Sequence, residues 1–179
     1  GDWSSDVALP ICESLYLQRL VNDLLDLSRL QNTDFKIEMQ EINLCDVIND
    51  VIRSASQIAK LKGVNIKQNQ DTHIFKVLGD YGRLRQMLLI ILDNAIKFSP
   101  KGGVVTLTLK NRSVSIKDNG IGISKEDLPY IFDRFYKVKS EANKNGTGLG
   151  LAIAKQIADR HNINRSEEHT SELQSPSGS

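Results

Sequence analysis

Cysteine is scarce: Cys12 and Cys45 stand far apart, in no metal-binding or redox motif. Their isolation excludes a disulfide scaffold and a zinc knuckle, and it fits a reducing compartment. An excess of either charge is also lacking, since 23 Lys and Arg against 22 Asp and Glu leave a net charge of +1. Bulk electrostatics therefore gives no pull toward nucleic acid or an anionic membrane. Long apolar runs are missing too. The longest, Met87 to Leu92, falls far short of the roughly 18 residues that a transmembrane helix needs. Gly1 to Pro10 is polar and has no apolar centre, so no signal peptide is expected. Internal repeats are absent as well. What is present, 40% hydrophobic and 25% charged residues over 179 positions, suits one soluble globular domain and a piece of a second.

Hydrophobic periodicity divides the chain. Leu17, Leu20, Leu24 and Leu27 recur at three- and four-residue steps and predict one amphipathic helix over about Leu9 to Leu30. A lone helix cannot bury its own stripe, so a partner chain or a neighbouring segment is implied. Alternation from Phe35 to Leu44 predicts a strand. A second helix runs from Asp46 to about Leu61 and ends at Gly63. Short strands are expected at Val64 to Gln68 and Ile74 to Gly79. A third helix spans Asp80 to Phe98 and is stopped by Ser99-Pro100. Gly103 to Gly120 reads as a hairpin turning at Asn111-Arg112. A short helix is expected from Ser124, then a polar stretch from Lys137 to Asn145, then a helix from Thr147 to about His161. Strands and helices mixed in this order predict an α+β chain, a two-layer sandwich with helices on one face of a sheet.

The third helix poses the chemical question. In "LLIILDNAIKFSP" (Leu88 to Pro100) the polar Asp93, Asn94 and Lys97 sit among Leu and Ile. Burying an amide or an ammonium is costly unless something pairs with it. Arg83, Gln86, Ile90, Asn94 and Lys97 share one stripe, while Leu84, Met87, Leu88, Ile91, Ala95 and Phe98 share another that suits a core. Two polar residues alone would suit a solvated face. Two glycine clusters downstream argue for a ligand. "DNGIGI" (Asp118 to Ile123) closes a strand, with glycines that let the backbone bend against a flat ligand and a carboxylate able to accept from an exocyclic amine such as that of adenine. "GTGLGLA" (Gly146 to Ala152) opens a helix, where backbone amides form a cradle for phosphates. Neither cluster is a dinucleotide-binding fingerprint or a P-loop, and the eukaryotic-type kinase motifs are absent. Asn94 offers a neutral oxygen to a well-hydrated cation such as Mg²⁺, and Lys97 offers positive charge to phosphates. The set describes a Mg²⁺-ATP site.

These boxes in this order resemble the GHKL ATPases (gyrase B, MutL, histidine kinases), and within them the bacterial sensor histidine kinases. "DYGRLRQMLLIILDNAIKFSP" is similar to that family's N box, "DNGIGISKEDLPYIFDRFYKV" to its first glycine box with F box, and "GTGLGLAIAKQIADRH" to its second glycine box. "LQRLVNDLLDLSRL" (Leu17 to Leu30) resembles the second helix of the dimerisation and phosphoacceptor hairpin. The resemblance implies a hairpin piece over residues 1–33, an ATP-binding catalytic domain over 34–164 with a mixed sheet packed on helices, and a disordered tail over 165–179. It implies that Asn94 ligates Mg²⁺, Lys97 touches phosphate and Asp118 binds the adenine amine. Gly120 and Gly122 would shape the adenine pocket. Phe132 and Phe135, with the segment through Asn145, would form hinge and lid, assisted by Lys137 and Lys139. Gly146, Thr147, Gly148, Leu149 and Gly150 would face the phosphates. The implied reaction moves the ATP γ-phosphoryl to a histidine on a hairpin of the same or a partner protomer, then to an aspartate of a response regulator receiver domain. A homodimer, a cytoplasmic catalytic part and a parent anchored in the inner membrane go with it; nucleic acid does not.

Three departures from the pattern stand out. The N box often has an Asn one turn before Asn94, and here Ile90 occupies that place. The His-Glu-x-x-Thr-Pro phosphoacceptor run is missing, and His73, His161 and His169 lack its neighbours. After Asn164 the closing glycines and strands of the family give way to "RSEEHTSELQS" (Arg165 to Ser175), similar to a translated sequencing adapter, so an uncovered sheet edge and marginal stability are expected. Two other readings are a nucleotide-binding module without turnover and a different GHKL ATPase that hydrolyses ATP.

Overall fold

A computed structural model of the chain describes residues 3–118, 148–166 and 171–174. A long helix, α1 (Trp3–Gln31), leads to a short strand β1 (Gln40–Asn43), helix α2 (Leu44–Lys62), strands β2 (Asn65–Gln70) and β3 (Lys76–Gly79), and helix α3 (Tyr81–Phe98). Strands β4 (Val104–Lys110) and β5 (Ser113–Lys117) follow, then helix α4 (Gly150–Arg160) and strands β6 (Asn164–Ser166) and β7 (Ser171–Gln174). The main sheet has the order β2-β4-β5-β7-β6. Its β2–β4 pair is parallel and its other pairs are antiparallel. Strands β1 and β3 form a separate antiparallel ribbon. Helices α2 and α3 pack on the sheet, and α4 packs on α3 and α1. This is the expected α+β class, helices layered on a mixed sheet.

Local chemistry explains the elements. The Asn43 side chain caps α2 by accepting from the Cys45 amide, and Asp80 caps α3 by accepting from the Arg83 amide at 3.1 Å. Gly63 ends α2 in the left-handed region at φ 74, the usual solution at a helix C-terminus. Asn111 and Arg112 both have positive φ, as a two-residue hairpin between twisted strands requires. Alternation along the hairpin sends Val105, Leu107, Leu109, Val114 and Ile116 into the core, against Val47, Ile48 and Val51 of α2 and the buried face of α3. Helix α3 buries more than one stripe, because the sheet, α2 and α4 all lean on it. Leu92 and Ile96 are fully buried, while Phe98, assigned to the core from the sequence, is only half-buried.

Several sequence expectations need correction. Helix α1 begins at Trp3, six residues before the expected Leu9, and runs through Pro10. Its leucine seam is split: Leu27 and Leu30 are buried in the core with α2, α3 and α4, whereas Leu17 and Leu24 are exposed with Leu15, Val21 and Leu25. Of the expected Phe35–Leu44 strand only Gln40–Asn43 lies in a ladder, and Leu44 already opens α2. The alternation at Phe35 and Ile37 reflects loop side chains that are half-buried on the body. Helix α4 starts at Gly150 rather than Thr147, since Gly148 adopts φ 76 and breaks the helical path. The tail, expected to be structureless, contributes the end of β6 and all of β7. Strand β7 pairs with β5 from Ser113↔Gln174 to Ile116↔Ser171. The edge of β5 offers open backbone donors and acceptors, and a ladder along it requires only main-chain groups.

Candidate nucleotide site

The polar stripe of α3 divides into two functions. Its first half faces α1: an Arg83 guanidinium nitrogen lies 3.3 Å from the Asp26 carboxylate and 2.9 Å from the Gln86 side-chain oxygen, and Gln86 donates to Asp26 at 2.9 Å. The Phe35 ring packs beneath the Arg83 guanidinium, 5.7 Å from carbon to centroid. Arg83 and Gln86 therefore join α3 to α1. Ile90, at the middle of the stripe, meets the first residue of α4. The second half carries Asn94 and Lys97, both half-buried.

The apolar setting of Asp93, Asn94 and Lys97 is balanced by charge from two helices. Burial pushes the Asp93 carboxyl above its ordinary range, while Lys97 and Lys62 pull it back. Lys62, at the end of α2, donates its ammonium protons to the Ile96 carbonyl at 2.9 Å and to the Lys97 carbonyl. It thus satisfies the last carbonyls of α3 with positive charge, favourable at a helix C-terminus. Burial lowers its pKa, and Asp93 opposes that shift. Lys97 also lies over the Phe98 ring, 5.8 Å from nitrogen to centroid.

Two other parts of the expected site lie among the described residues. Asp118 is half-buried immediately after β5, a strand that contacts α3. Gly148, Leu149 and Gly150 open α4. Leu149 is fully buried in the core and, as the N-cap residue, has no side-chain oxygen to cover the first-turn amides. Helix α3, which bears Asn94, thus contacts both β5, which Asp118 follows, and α4, which Gly150 opens. Gly120, Gly122, Phe132, Phe135, Gly146 and Thr147, with Lys137, Lys139 and the helix expected from Ser124, lie outside the described residues.

Sequence reasoning overlooked a second cluster. The Arg160 guanidinium, on the last turn of α4, donates to the Leu30 carbonyl at 3.1 Å, the Asn32 carbonyl at 3.2 Å and the Phe35 carbonyl. It caps α1 and holds the connection that follows. Asp80 accepts from the Glu38 amide at 2.8 Å, fixing the same connection to the start of α3. Nothing in the periodicity marks these residues; the basic last turn of α4 was the one available signal.

Residues 79–178 match the family described as Histidine kinase-, DNA gyrase B-, and HSP90-like ATPase. That is more than half of the chain. The chain belongs to this ATPase family. Among its curated relatives, Sensor histidine kinase YkoH of Bacillus subtilis (strain 168) is 35% identical over 155 residues, covering 84% of this chain and 33% of the relative. Sensor histidine kinase WalK of the same organism is 38% identical over 151 residues, covering 80% of this chain and 24% of the relative. The chain therefore spans a third or less of the length of these kinases. Among solved structures, full-length ShkA in complex with AMPPNP superposes with a TM-score of 0.74 at 26% identity, covering 97% of this chain and 38% of that one. The catalytic domain of histidine kinase ThkA gives a TM-score of 0.65 at 25% identity, covering 78% of this chain and 97% of that one. The ATPase match begins at the end of β3, so α1, β1, α2 and β2 precede it. No helix among the described residues is long and apolar enough to cross a membrane.

Proposed function

We propose that the chain is the ATP-binding catalytic part of a sensor histidine kinase, which moves the γ-phosphoryl of Mg²⁺-ATP to a histidine of a phosphoacceptor hairpin and onward to a response regulator aspartate. The carrying observation is the packing of α3, with Asn94 and Lys97 on one stripe, against the amide-bearing start of α4. Asn94 ligates the metal through its amide oxygen, and Lys97 neutralises phosphate charge. Asp118 accepts the adenine amine, and the amides of Gly150 and its successors receive the polyphosphate. Among the described residues no group of three His, Cys, Asp or Glu side chains could hold a metal. A single amide oxygen suits Mg²⁺, which keeps most of its water and leans on the phosphates. Bound magnesium, which Asn94 would hold, would supply charge neutralisation to the phosphates. Phosphoryl transfer then needs mainly alignment, which α3 and α4 provide.

The exposed leucines of α1 support a homodimer in the intact kinase, with the hairpin of the same or a partner protomer as phosphate acceptor. The kinship with sensor histidine kinases accords with a cytoplasmic catalytic part on a parent anchored in the inner membrane. The test mixes the chain with Mg²⁺-ATP and a separately made phosphoacceptor hairpin from a related kinase, and measures acid-labile phosphate. Labelling that disappears in Asn94→Ala is the expected result. Nucleotide binding without any labelling would replace this reading with that of a binding module without turnover.

A further inference from the structure

Ile90 stands where an amide would otherwise point toward metal and phosphate, and the structure shows what it touches. A β-carbon placed on Gly150 would meet the Ile90 γ2 methyl at 3.3 Å, the one contact within 4 Å among the described residues outside its own helix and chain neighbours. That is tighter than ordinary van der Waals contact, so Ile90 lies directly against the backbone of the first residue of α4. Two features hold the same point from other sides. Leu149 is fully buried, and Gly148 turns the chain through φ 76. The start of α4 is therefore set by a core anchor, a left-handed turn and a hydrocarbon wall. Asn94 follows Ile90 by four residues, so wall and amide share one face of α3 about 6 Å apart along its axis.

We propose that Ile90 is a positioning residue for the nucleotide phosphates: its γ2 methyl sets the place of Gly150, and so the aim of the α4 amides, relative to Asn94. The inference rests on the reading of this site as a Mg²⁺-ATP site. A methyl in this place binds nothing itself. It acts through Gly150, and it leaves Asn94 as the amide ligand of the α3 stripe. Any side chain at residue 150 must displace either the helix start or Ile90, because packed cores accept added carbon poorly. Base recognition, which belongs to the far end of the nucleotide, is untouched by this contact.

The test is a set of calorimetric titrations with Mg²⁺-ATP and with adenosine, each beside a nucleotide-free thermal melt. Wild type is compared with Gly150→Ala, Ile90→Ala, Ile90→Val and the Gly150→Ala/Ile90→Ala pair. Gly150→Ala should weaken ATP at least about fivefold with adenosine affinity unchanged. Ile90→Val keeps the γ-methyl and should bind ATP as wild type does. The double variant should recover most of the affinity lost in Gly150→Ala, because the space beneath residue 150 is reopened. A double variant no better than Gly150→Ala, or equal losses for ATP and adenosine, would overturn the proposal. Wild-type ATP affinity retained in both Gly150→Ala and Ile90→Ala would do the same, even if both melt earlier. If wild type itself binds no ATP, the reading of the site fails first, and the contact is only packing.

Discussion

His161 and Asp80, 81 residues apart in sequence, are joined by a hydrogen bond in which the Asp80 backbone amide donates to His161 Nε2 at 3.0 Å. The other ring nitrogen, Nδ1, lies 2.7 Å from the Ile157 carbonyl and must donate to it. The two contacts together require a neutral imidazole protonated at Nδ1, buried between the end of α4 and the cap of α3. Burial holds its pKa below the ordinary value near 6.5, while the Ile157 carbonyl and Asp80 oppose that shift and Arg160 adds to it.

Stability should consequently fall in mild acid. Below about pH 6.5 the unfolded chain takes up the histidine proton before the folded one does, so folding loses ground as pH drops through the folded pKa. The contribution is complete above that window. Asp93, with a raised pKa, has the opposite sign, its contribution weakening as pH rises from its ordinary 3.8. Urea midpoints for wild type and His161→Gln between pH 7.5 and 5 test the idea. The wild-type curve should slope more steeply in acid, and parallel curves would remove His161 from the account.

Arg160→Ala should cost about 2 kcal/mol, because three carbonyls around the end of α1 lose a charged donor. Amide exchange over residues 30–38 should accelerate, while the amides of β4 and β5 stay protected. Uniform acceleration throughout would mean that the whole fold, and not this connection, was weakened.

Gly63→Ala should destabilise by about 1–2 kcal/mol. Residue 63 has φ 74, and an added β-carbon would lie 3.0 Å from the Lys101 side chain. That neighbour is flexible and can shift, so backbone strain carries most of the effect. Gly102→Ala offers an internal comparison: φ is 85 there, and among the described residues nothing would lie within 4 Å of the added carbon. Similar losses at both glycines would assign the effect to conformation; a much larger loss at Gly63 would assign it to crowding.

Asp118→Asn should weaken ATP roughly tenfold, as expected for losing a charged acceptor, and should leave inorganic triphosphate binding as it was. Competition binding with both ligands measures the difference. Unchanged ATP affinity would mean that another group reads the base.

Much of this architecture was legible in the sequence where one local rule and burial agree. The start of α3 at Asp80, the Gly63 stop and the Asn111-Arg112 turn are each dictated by a few neighbouring residues, and the fold kept them. The first part of the connection to β1 was not legible, since alternation at Phe35 and Ile37 reports a side that is buried without saying whether a strand or an arginine supplies the partner. For the same reason Arg83 and Gln86 looked like neighbours of Asn94 on a ligand-facing stripe. Helical periodicity assigns a face, but only the path of α1 reveals that Asp26 covers one end of it. The role of Ile90 was hidden more deeply, because sequence shows the missing amide and not the Gly150 backbone lying against its methyl.

The grip of Arg160 on the last turn of α1 also turns α4 into a lever. Its first turn carries the amides proposed for phosphate, and its last turn holds the Leu30 carbonyl of α1 and two carbonyls just beyond, about 15 Å away along a stiff rod. Twisting α1 drags one end of that rod, and the other end must answer.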